Sequence, residues 1–278
     1  MLQSPRAWVL VLVSLGGACS NDTFMPDGGS DSGNDILSVG GGDGGQDAAD
    51  AGMDVNVTPR YCQTSTIAIN APFCADFDIP NDAGAGFTSP SINGAFATSF
   101  ETLVASSKPT AFEVDIPSDG GGSGTIEAFV GGTDSGAASM ITLDLDIYLP
   151  AVSTIPTPSV FMFAFGSVGP ASTQFGLAEV SEQWVFANQQ GQTRALTIQP
   201  ATGEWAHAQL AIILSTTGGT ASITVTSSAG TSTASFVGVE TTVASAPPYP
   251  AQLLLGVIDT VPPNTQSVYY DNAVINFQ

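Results

Sequence analysis

Apolar and polar residues alternate along most of the chain from residue 61 onward. In Met140–Leu149 every second residue from Ile141 is apolar, and the positions between them hold Thr, Asp and Tyr. This period of two predicts a β-strand with one buried face. Val160–Val168 is apolar on both faces, which predicts a central strand. Five later strands are predicted in the same way: Ala206–Leu214, Thr220–Thr226, Ser232–Val239, Gln252–Ile258 and Val268–Phe277.

No stretch of the chain shows a convincing helical period, and glycine-rich turns such as Gly218-Gly219 separate the predicted strands. We expect about ten to twelve strands in the domain formed by residues 61–278. The predicted fold class is therefore all-β, an antiparallel two-sheet sandwich of the jelly-roll type.

The beginning of the chain has the pattern of an export signal. Arg6 gives it positive charge, and the nine mainly apolar residues Ala7–Leu15 are far fewer than the roughly 20 that span a bilayer as a helix. The following Leu15–Cys19 (LGGAC) resembles the lipobox of bacterial lipoproteins, although its Leu stands one place further from the cysteine than usual. The resemblance implies that residues 1–18 are a signal peptide and that Cys19 is acylated by palmitate-type chains. Ser20, rather than Asp, then implies an outer-membrane lipoprotein of the cell envelope.

Residues 19–60 consist mainly of Gly, Asp, Ser and Ala, with few large apolar side chains. Such a segment cannot bury enough surface to offset the entropy of ordering it. We therefore expect a lipidated, disordered tether in front of the domain. Its Asp-Gly spacing is superficially like that of calcium-binding repeats, but no nine-residue period is sustained.

The chain has three cysteines, an odd number. If Cys19 carries lipid, Cys62 and Cys74 remain as a pair with eleven residues between them. We expect a disulfide bond, which would constrain the unfolded chain by about 3 kcal/mol. A zinc site is disfavoured, because two thiols and the distant His207 do not make four ligands.

The charge of the chain narrows the range of partners. Residues 61–278 contain seventeen acidic residues and, as basic residues, only Lys108 and Arg194. Such a surface repels phosphate backbones, so we expect no nucleic-acid partner. Anionic polysaccharides are disfavoured for the same reason, whereas neutral sugars, cations, proteins and apolar ligands remain.

Three short motifs resemble the concanavalin A-like (laminin G-like) jelly rolls, especially those on bacterial lipoproteins behind Gly/Asp-rich linkers. They are Phe73–Asp78 (FCADFD), Gly203–Trp205 (GEW) and Tyr269–Asn272 (YYDN). The resemblance covers residues 61–278 and implies that the first and last strands are neighbours in one sheet. It supports the fold rather than an activity, because this fold is found in lectins, glycosidases, lyases and adhesion modules.

Candidate ligand-binding residues lie on the polar faces of two predicted strands. Asp144 and Asp146 share one face, but Tyr148 stands where the resembled glycosidases carry a third carboxylate. A lyase is disfavoured by the scarcity of basic residues. No Gly-x-Ser-x-Gly nucleophile elbow occurs that could form a catalytic triad with His207, so we expect a surface histidine. Trp205 shares the face of His207. We therefore assign no catalytic residue and take Asp144, Asp146, Tyr148 and Trp205 as binding candidates.

No motif in the sequence requires a cofactor. The alternative is that the domain binds a structural calcium ion. Asp76 and Asp78 share a face at the start of the predicted first strand, and Asp271 with Asn272 lies near the beginning of the last. Calcium takes six to eight oxygen ligands, which neighbouring strands could supply. Antiparallel pairing could equally place Asp271 at the opposite end of the sheet.

The leading hypothesis is a non-catalytic binding domain, displayed at the cell surface and anchored to the lipid membrane through Cys19. Its partner would be a carbohydrate or another envelope component, such as a protein. One alternative is a glycoside hydrolase of neutral polysaccharide that uses Asp144 and Asp146. The other is a structural envelope or matrix lipoprotein with no small ligand.

Mass spectrometry of the protein from its native host tests the lipid anchor. We expect a mature chain that begins at Cys19 and carries the added mass of diacylglycerol and acyl groups, because the thiol follows an export signal directly. The Cys19→Ser variant should lack that mass. A mature chain that begins elsewhere, or that begins at Cys19 without acyl mass, would contradict the prediction.

Overall fold

The computed structural model describes residues 60–78, 91–93, 97–107, 110–116, 123–130, 138–150, 159–165, 173–179, 183–215, 218–239, 241, 251–258 and 266–278. Cys19 and the rest of the segment before residue 60 lie outside these ranges. The signal peptide, the acylation, the tether and the boundary at residue 61 therefore stay predictions.

Strands dominate the described residues, as the alternating pattern predicts. One helical turn, α1 (Tyr61–Thr64), is followed by fifteen strands within the described ranges. Their bounds are β1 (Phe73–Ala75), β2 (Ser91–Asn93), β3 (Ala97–Glu101), β4 (Ala111–Ile116), β5 (Ser123–Val130), β6 (Met140–Tyr148), β7 (Ser159–Phe165), β8 (Thr173–Glu179), β9 (Trp184–Asn188), β10 (Thr193–Ala195), β11 (Trp205–Ile213), β12 (Gly219–Ser227), β13 (Gly230–Val239), β14 (Ala251–Ile258) and β15 (Gln266–Phe277).

All seven strands predicted individually are present, but the predicted total of ten to twelve was too low. The additional strands include β1, β2 and β10, each three residues long. A strand of that length contains too few positions for a period of two to be recognised.

The described strands form two antiparallel sheets of a jelly-roll sandwich. The first sheet has the order β13-β12-β11-β6-β15-β4-β3, with β1 also paired to β15, and the second has the order β10-β9-β8-β7-β14-β5-β2. The pairing of β1 with β15 confirms that the first and last strands are neighbours. Strand β7 lies between β8 and β14, so its prediction as a central strand is also confirmed.

The core lies between the two sheets and contains the inward positions that the alternation predicts. On β6, Ile141, Leu143, Leu145 and Ile147 are all buried. The largest fully buried side chains of the described residues are Trp184, Tyr270, Phe77, Phe112, Phe161, Phe163, Phe175, Phe186, Ile126 and Ile141. The opposite side of the first sheet, which faces away from this core, is called the outer face below. Within the described ranges, none of the helical structure could span a lipid bilayer.

A disulfide bond joins Cys62 in α1 to Cys74 in β1, as predicted, with a Cα–Cα distance of 5.8 Å. Phe73 and Ala75, on either side of Cys74, point into the core. Because side chains alternate along a strand, Cys74 lies on the outer face, and the bond therefore holds α1 against that face.

Replacing the buried Tyr270 by Phe tests the packing at the centre of the sandwich. The Gly256 N–H donates a 3.0 Å hydrogen bond to the Tyr270 hydroxyl, and both residues are buried. Tyr270→Phe leaves this N–H unpaired, so we expect a loss of about 1–3 kcal/mol in the free energy of unfolding. Guanidinium denaturation measures the loss. Tyr148→Phe, at a half-buried ring, should change stability by less than about 0.5 kcal/mol, and equal effects of both variants would contradict this account.

Candidate functional site

The outer face of the first sheet carries two neighbouring rows of side chains across β15, β6 and β11. Pairing of these three strands sets both rows. The aromatic row consists of Tyr269, Tyr148 and Trp205. The polar row consists of Asp271, Asp146 and His207. The rows are adjacent because each strand contributes residues two positions apart, which point to the same side of a sheet.

The aromatic row is a continuous set of three rings at one end of the outer face. The centroid of the Tyr148 ring lies 5.5 Å from that of Trp205 and 5.5 Å from that of Tyr269. All three side chains are half-buried, so each ring keeps an exposed part. Two strand spacings of about 4.8 Å give the row a width of roughly 10 Å, enough for two ring-sized groups. The prediction that Trp205 shares a face with His207 is confirmed.

In the polar row, His207 lies between two carboxylates. Its Nδ1 is 2.8 Å from Asp146 Oδ1, and its Nε2 is 3.4 Å from Asp144 Oδ1. Both nitrogens of a protonated imidazole carry hydrogens, so the cation can donate to both partners. The side chain of His207 nevertheless remains 43% exposed. The sequence predicted a surface histidine and missed both of its partners.

These contacts raise the pKa of His207 and lower the pKa of Asp146. Hydrogen bonds to Asp144 and Asp146 raise the pKa of His207 to about 9, against the lowering effect of burial. Burial by itself would raise the pKa of Asp146, but hydrogen bonds from His207, Asn272 and Ser106 hold it below its usual value. At neutral pH the row therefore contains an imidazolium beside an ionised Asp146.

The third member of the row, Asp271, is buried and acts as an internal support. Its Oδ2 accepts a 2.7 Å bond from the Ser107 N–H, and its Oδ1 accepts a 2.8 Å bond from the Asn272 N–H. Burial raises the pKa of Asp271 to about 8 despite these bonds. Because Asp271 is fully buried, it holds its neighbours in place rather than contacting a ligand.

The segment that follows β3 closes one side of the polar row. The Ser106 hydroxyl donates a 2.8 Å bond to Asp146 Oδ2, which also accepts a 2.8 Å bond from Asn272 Nδ2. Asn272 has a φ of +52° and lies in the irregular pairing between β15 and β6. This conformation is uncommon for residues other than glycine but is tolerated by Asn.

The outer face is less solvated at Asp144 than the sequence suggested. Alternation predicted Asp144 and Asp146 on the wet side of an amphipathic strand, and they do share the outward side. Yet Asp144 is only 3% exposed, and its Oδ1 accepts a 2.8 Å bond from Gln209. Gln209 and His207 of the adjacent strand β11 contact the Asp144 carboxyl group, and the period of a single strand cannot reveal such neighbours.

The aromatic row continues onto β4 through Glu113, which pairs with Tyr269. Glu113 is buried and accepts a 2.6 Å bond from the Ser99 hydroxyl. Burial is the largest cause that raises the pKa of Tyr269, and its hydrogen bond with Glu113 adds to the effect. Sequence reasoning missed Glu113 and Tyr269 as members of the site, because their pairing becomes visible only once the strand order is known.

The residues considered for calcium are located as follows. Asp76 and Asp78 come just after β1 rather than within it, and both are buried. Asp76 Oδ2 accepts a 3.2 Å bond from the Cys62 N–H. Because Ala75 pairs with Ala273, the residues after β1 lie at the same end of the sheet as Asp271. No group of three or more His, Cys, Asp or Glu among the described residues is arranged to hold a metal ion. A calcium ion bound by Asp76, Asp78 and Asp271 stays a prediction.

Comparison with solved structures supports the fold assignment. The endo-beta-1,4-glucuronan lyase from the fungus Trichoderma reesei has a TM-score of 0.55 at 13% identity, covering 75% of this chain and 96% of that one. The alginate lyase vAL-1 from Chlorella virus has a TM-score of 0.52 at 11% identity, covering 75% and 100%. The cellulose induced protein Cip1 has a TM-score of 0.50 at 14% identity, covering 73% and 96%.

At these identities the likeness shows the fold alone, a jelly-roll sandwich consistent with the concanavalin A-like type. No protein-family model matches the chain, and no curated protein is similar to it in sequence.

Titration of His207 by NMR tests the polar row directly, because the chain contains one histidine. We expect a midpoint near pH 9 instead of the ordinary 6.5. Because the pKa of His207 is higher in the folded than in the unfolded state, protonated His207 stabilises the folded protein. This contribution to the free energy of unfolding is fully present below pH 6.5 and is lost as the pH rises towards 9.

The Asp146→Asn variant should lower the midpoint, whereas Asp115→Asn, a matched change on β4 with no bond to His207, should not. A midpoint near 6.5 in the unmodified protein would contradict the ion-pair geometry.

Proposed function

We propose that the domain binds a neutral glycan on the outer face of its first sheet, and that Cys19 anchors the chain to the membrane of the cell envelope. The observation that carries the proposal is the row of three half-buried rings beside the polar row. Binding sites combine apolar and aromatic surface with a few positioned polar groups, and this face has both.

The aromatic row would contact the apolar faces of sugar rings. Tyr and Trp present large, rigid surfaces with a polar atom at one edge, which suits a ligand with both C–H faces and hydroxyl groups. Trp205 and Tyr148 belong to neighbouring strands, so two successive ring-sized groups could lie on the row. Stacking of this kind needs no charge on the ligand.

The polar row would bind the hydroxyl groups of the same ligand. His207 is partly exposed, and Gln209 is exposed two positions further along the same strand. Gln209 donates one of its two amide N–H groups to Asp144, so the other can donate to a ligand hydroxyl oxygen, and the exposed part of the His207 ring lies beside it. Their orientation is held by Asp146 and Asp144, so little side-chain entropy is lost when a ligand binds.

The electrostatics favour a neutral ligand over an anionic one. His207 is the single histidine of the chain, and two carboxylates already neutralise it. The domain has seventeen acidic residues against two basic ones, so a polyanion would be repelled on approach.

The contacts of Asp144 and Asp146 favour binding over hydrolysis. Asp144 is buried and accepts a bond from Gln209, and Asp146 accepts bonds from three neighbours. A glycosidase needs one carboxyl group free to donate a proton and a second free to attack the sugar or activate water. The hydrolase and the purely structural lipoprotein remain the alternatives.

Calorimetric titration tests the proposal with cellohexaose, maltohexaose, xylohexaose and mannohexaose, and with hexagalacturonate as the anionic counterpart. We expect at least one neutral probe to bind and hexagalacturonate not to bind, with and without calcium. Trp205→Ala should weaken that binding by about 2 kcal/mol, as for a central aromatic contact.

The matched control is Ile213→Ala, an exposed outward residue at the other end of β11, which should leave the affinity unchanged. Binding of none of the neutral probes would overturn the proposal. Reducing-sugar release that Asp146→Asn abolishes would favour the hydrolase instead.

A further inference from the structure

A segment from before the first strand lies on the outer face beside the polar row. Asn276 Nδ2 donates a 3.0 Å bond to the Ile67 carbonyl oxygen, which joins this segment to β15. Val274 points outward, because its neighbours Ala273 and Ile275 belong to the core, yet it is fully buried. Something on the outer face must therefore cover it, and the segment with Ile67 passes there.

The disulfide bond fastens the start of this segment to the row that contains Asp144. Cys74 pairs with Val274 on β15, and Val274 pairs with Asp144 on β6. Cys62, bonded to Cys74, is held a second time through its N–H bond to Asp76 Oδ2. Of these two attachments of the helical turn α1, the disulfide is the covalent one, whereas a single hydrogen bond contributes only about 0.5–1.5 kcal/mol.

Tyr61 immediately precedes Cys62, which the disulfide holds beside the paired Val274 and Asp144. Its side chain is half-buried and hydrogen-bonded to Ser65 within the same segment. Burial is the main cause that raises the pKa of Tyr61, and the negative charges of Asp146, Asp144 and Asp271 raise it further. The phenol therefore lies within electrostatic range of the carboxyl groups at the centre of the site.

We propose that Tyr61 is a further ligand-contacting residue of the glycan site, and that the Cys62–Cys74 disulfide is what holds it there. The inference rests on the proposed function, to which it adds a residue from a separate segment. The sheet supplies a flat surface, and Tyr61 supplies an aromatic side wall with a hydroxyl group. The bond then sets the ligand affinity in addition to stabilising the edge of the sheet.

A purely structural disulfide is the competing account, because β1 has only three residues and pairs along one side with β15. Under that account, loss of the bond would lower stability, and Tyr61 would not affect binding. The two accounts differ in whether the effect of Tyr61 on ligand affinity depends on the disulfide. A double-mutant cycle measures this dependence.

The experiment is calorimetric titration of the full chain with whichever of cellohexaose, maltohexaose, xylohexaose and mannohexaose binds most tightly. Tyr61→Phe removes one hydroxyl contact, so we expect roughly 2- to 10-fold weaker binding. The Cys62→Ser/Cys74→Ser double variant should lose more, because the whole Tyr61 ring is released. Adding Tyr61→Phe to that double variant should then have no further effect. All titrations are run well below each variant's melting temperature.

The matched control is Thr64→Ala in the same helical turn, where the exposed Thr64 hydroxyl donates a 2.9 Å bond to the Arg60 carbonyl oxygen. Its affinity should equal that of the unmodified protein. Unchanged affinity of Tyr61→Phe, or additive effects of Tyr61→Phe and the cysteine changes, would overturn this inference while leaving the proposed function intact. If none of the four probes binds the unmodified protein, the proposed function fails, and this inference fails with it.

Discussion

The register of β6 between β11 and β15 is the constraint on which the outer face depends. It sets Asp146 opposite both His207 and Asp271, and Tyr148 opposite both Trp205 and Tyr269. A shift by one residue would turn every outward side chain of β6 into the core. The buried Ile and Leu residues of β6 oppose such a shift, so the hydrophobic core that stabilises the sandwich also aligns the two rows of the site.

In the polar row, burial opposes the ionisation of the carboxyl groups and hydrogen bonds favour it. Carboxylates removed from water are costly unless they are paired or accept hydrogen bonds. Asp146 meets that requirement through His207, Asn272 and Ser106, whereas burial keeps Asp271 largely protonated at neutral pH. His207 lowers the repulsion between Asp144 and Asp146, which face the same side two positions apart. The row can therefore hold its donors in a fixed arrangement before any ligand arrives.

Segments distant in sequence complete the face on both sides. The segment after β3 reaches Asp146 and Asp271 from one direction, and the segment with α1 is bonded to β15 from another. Each is attached by specific bonds, the second by a disulfide. Differences in these segments can alter the site without disturbing the sandwich, which agrees with the many functions found on jelly-roll folds.

Local sequence was enough to predict the all-β class, the inward and outward positions of β6 and β11, and, with Cys19 taken as lipidated, the pairing of Cys62 with Cys74. These features follow from the period of two within single strands and from the count of thiols. The position of Asp146 between His207 and Asp271, and the extension of the Tyr148–Trp205 row by Tyr269, became visible in the folded sandwich. Strand order and register arise from packing between residues 61 to 126 positions apart, which alternation within one strand does not encode.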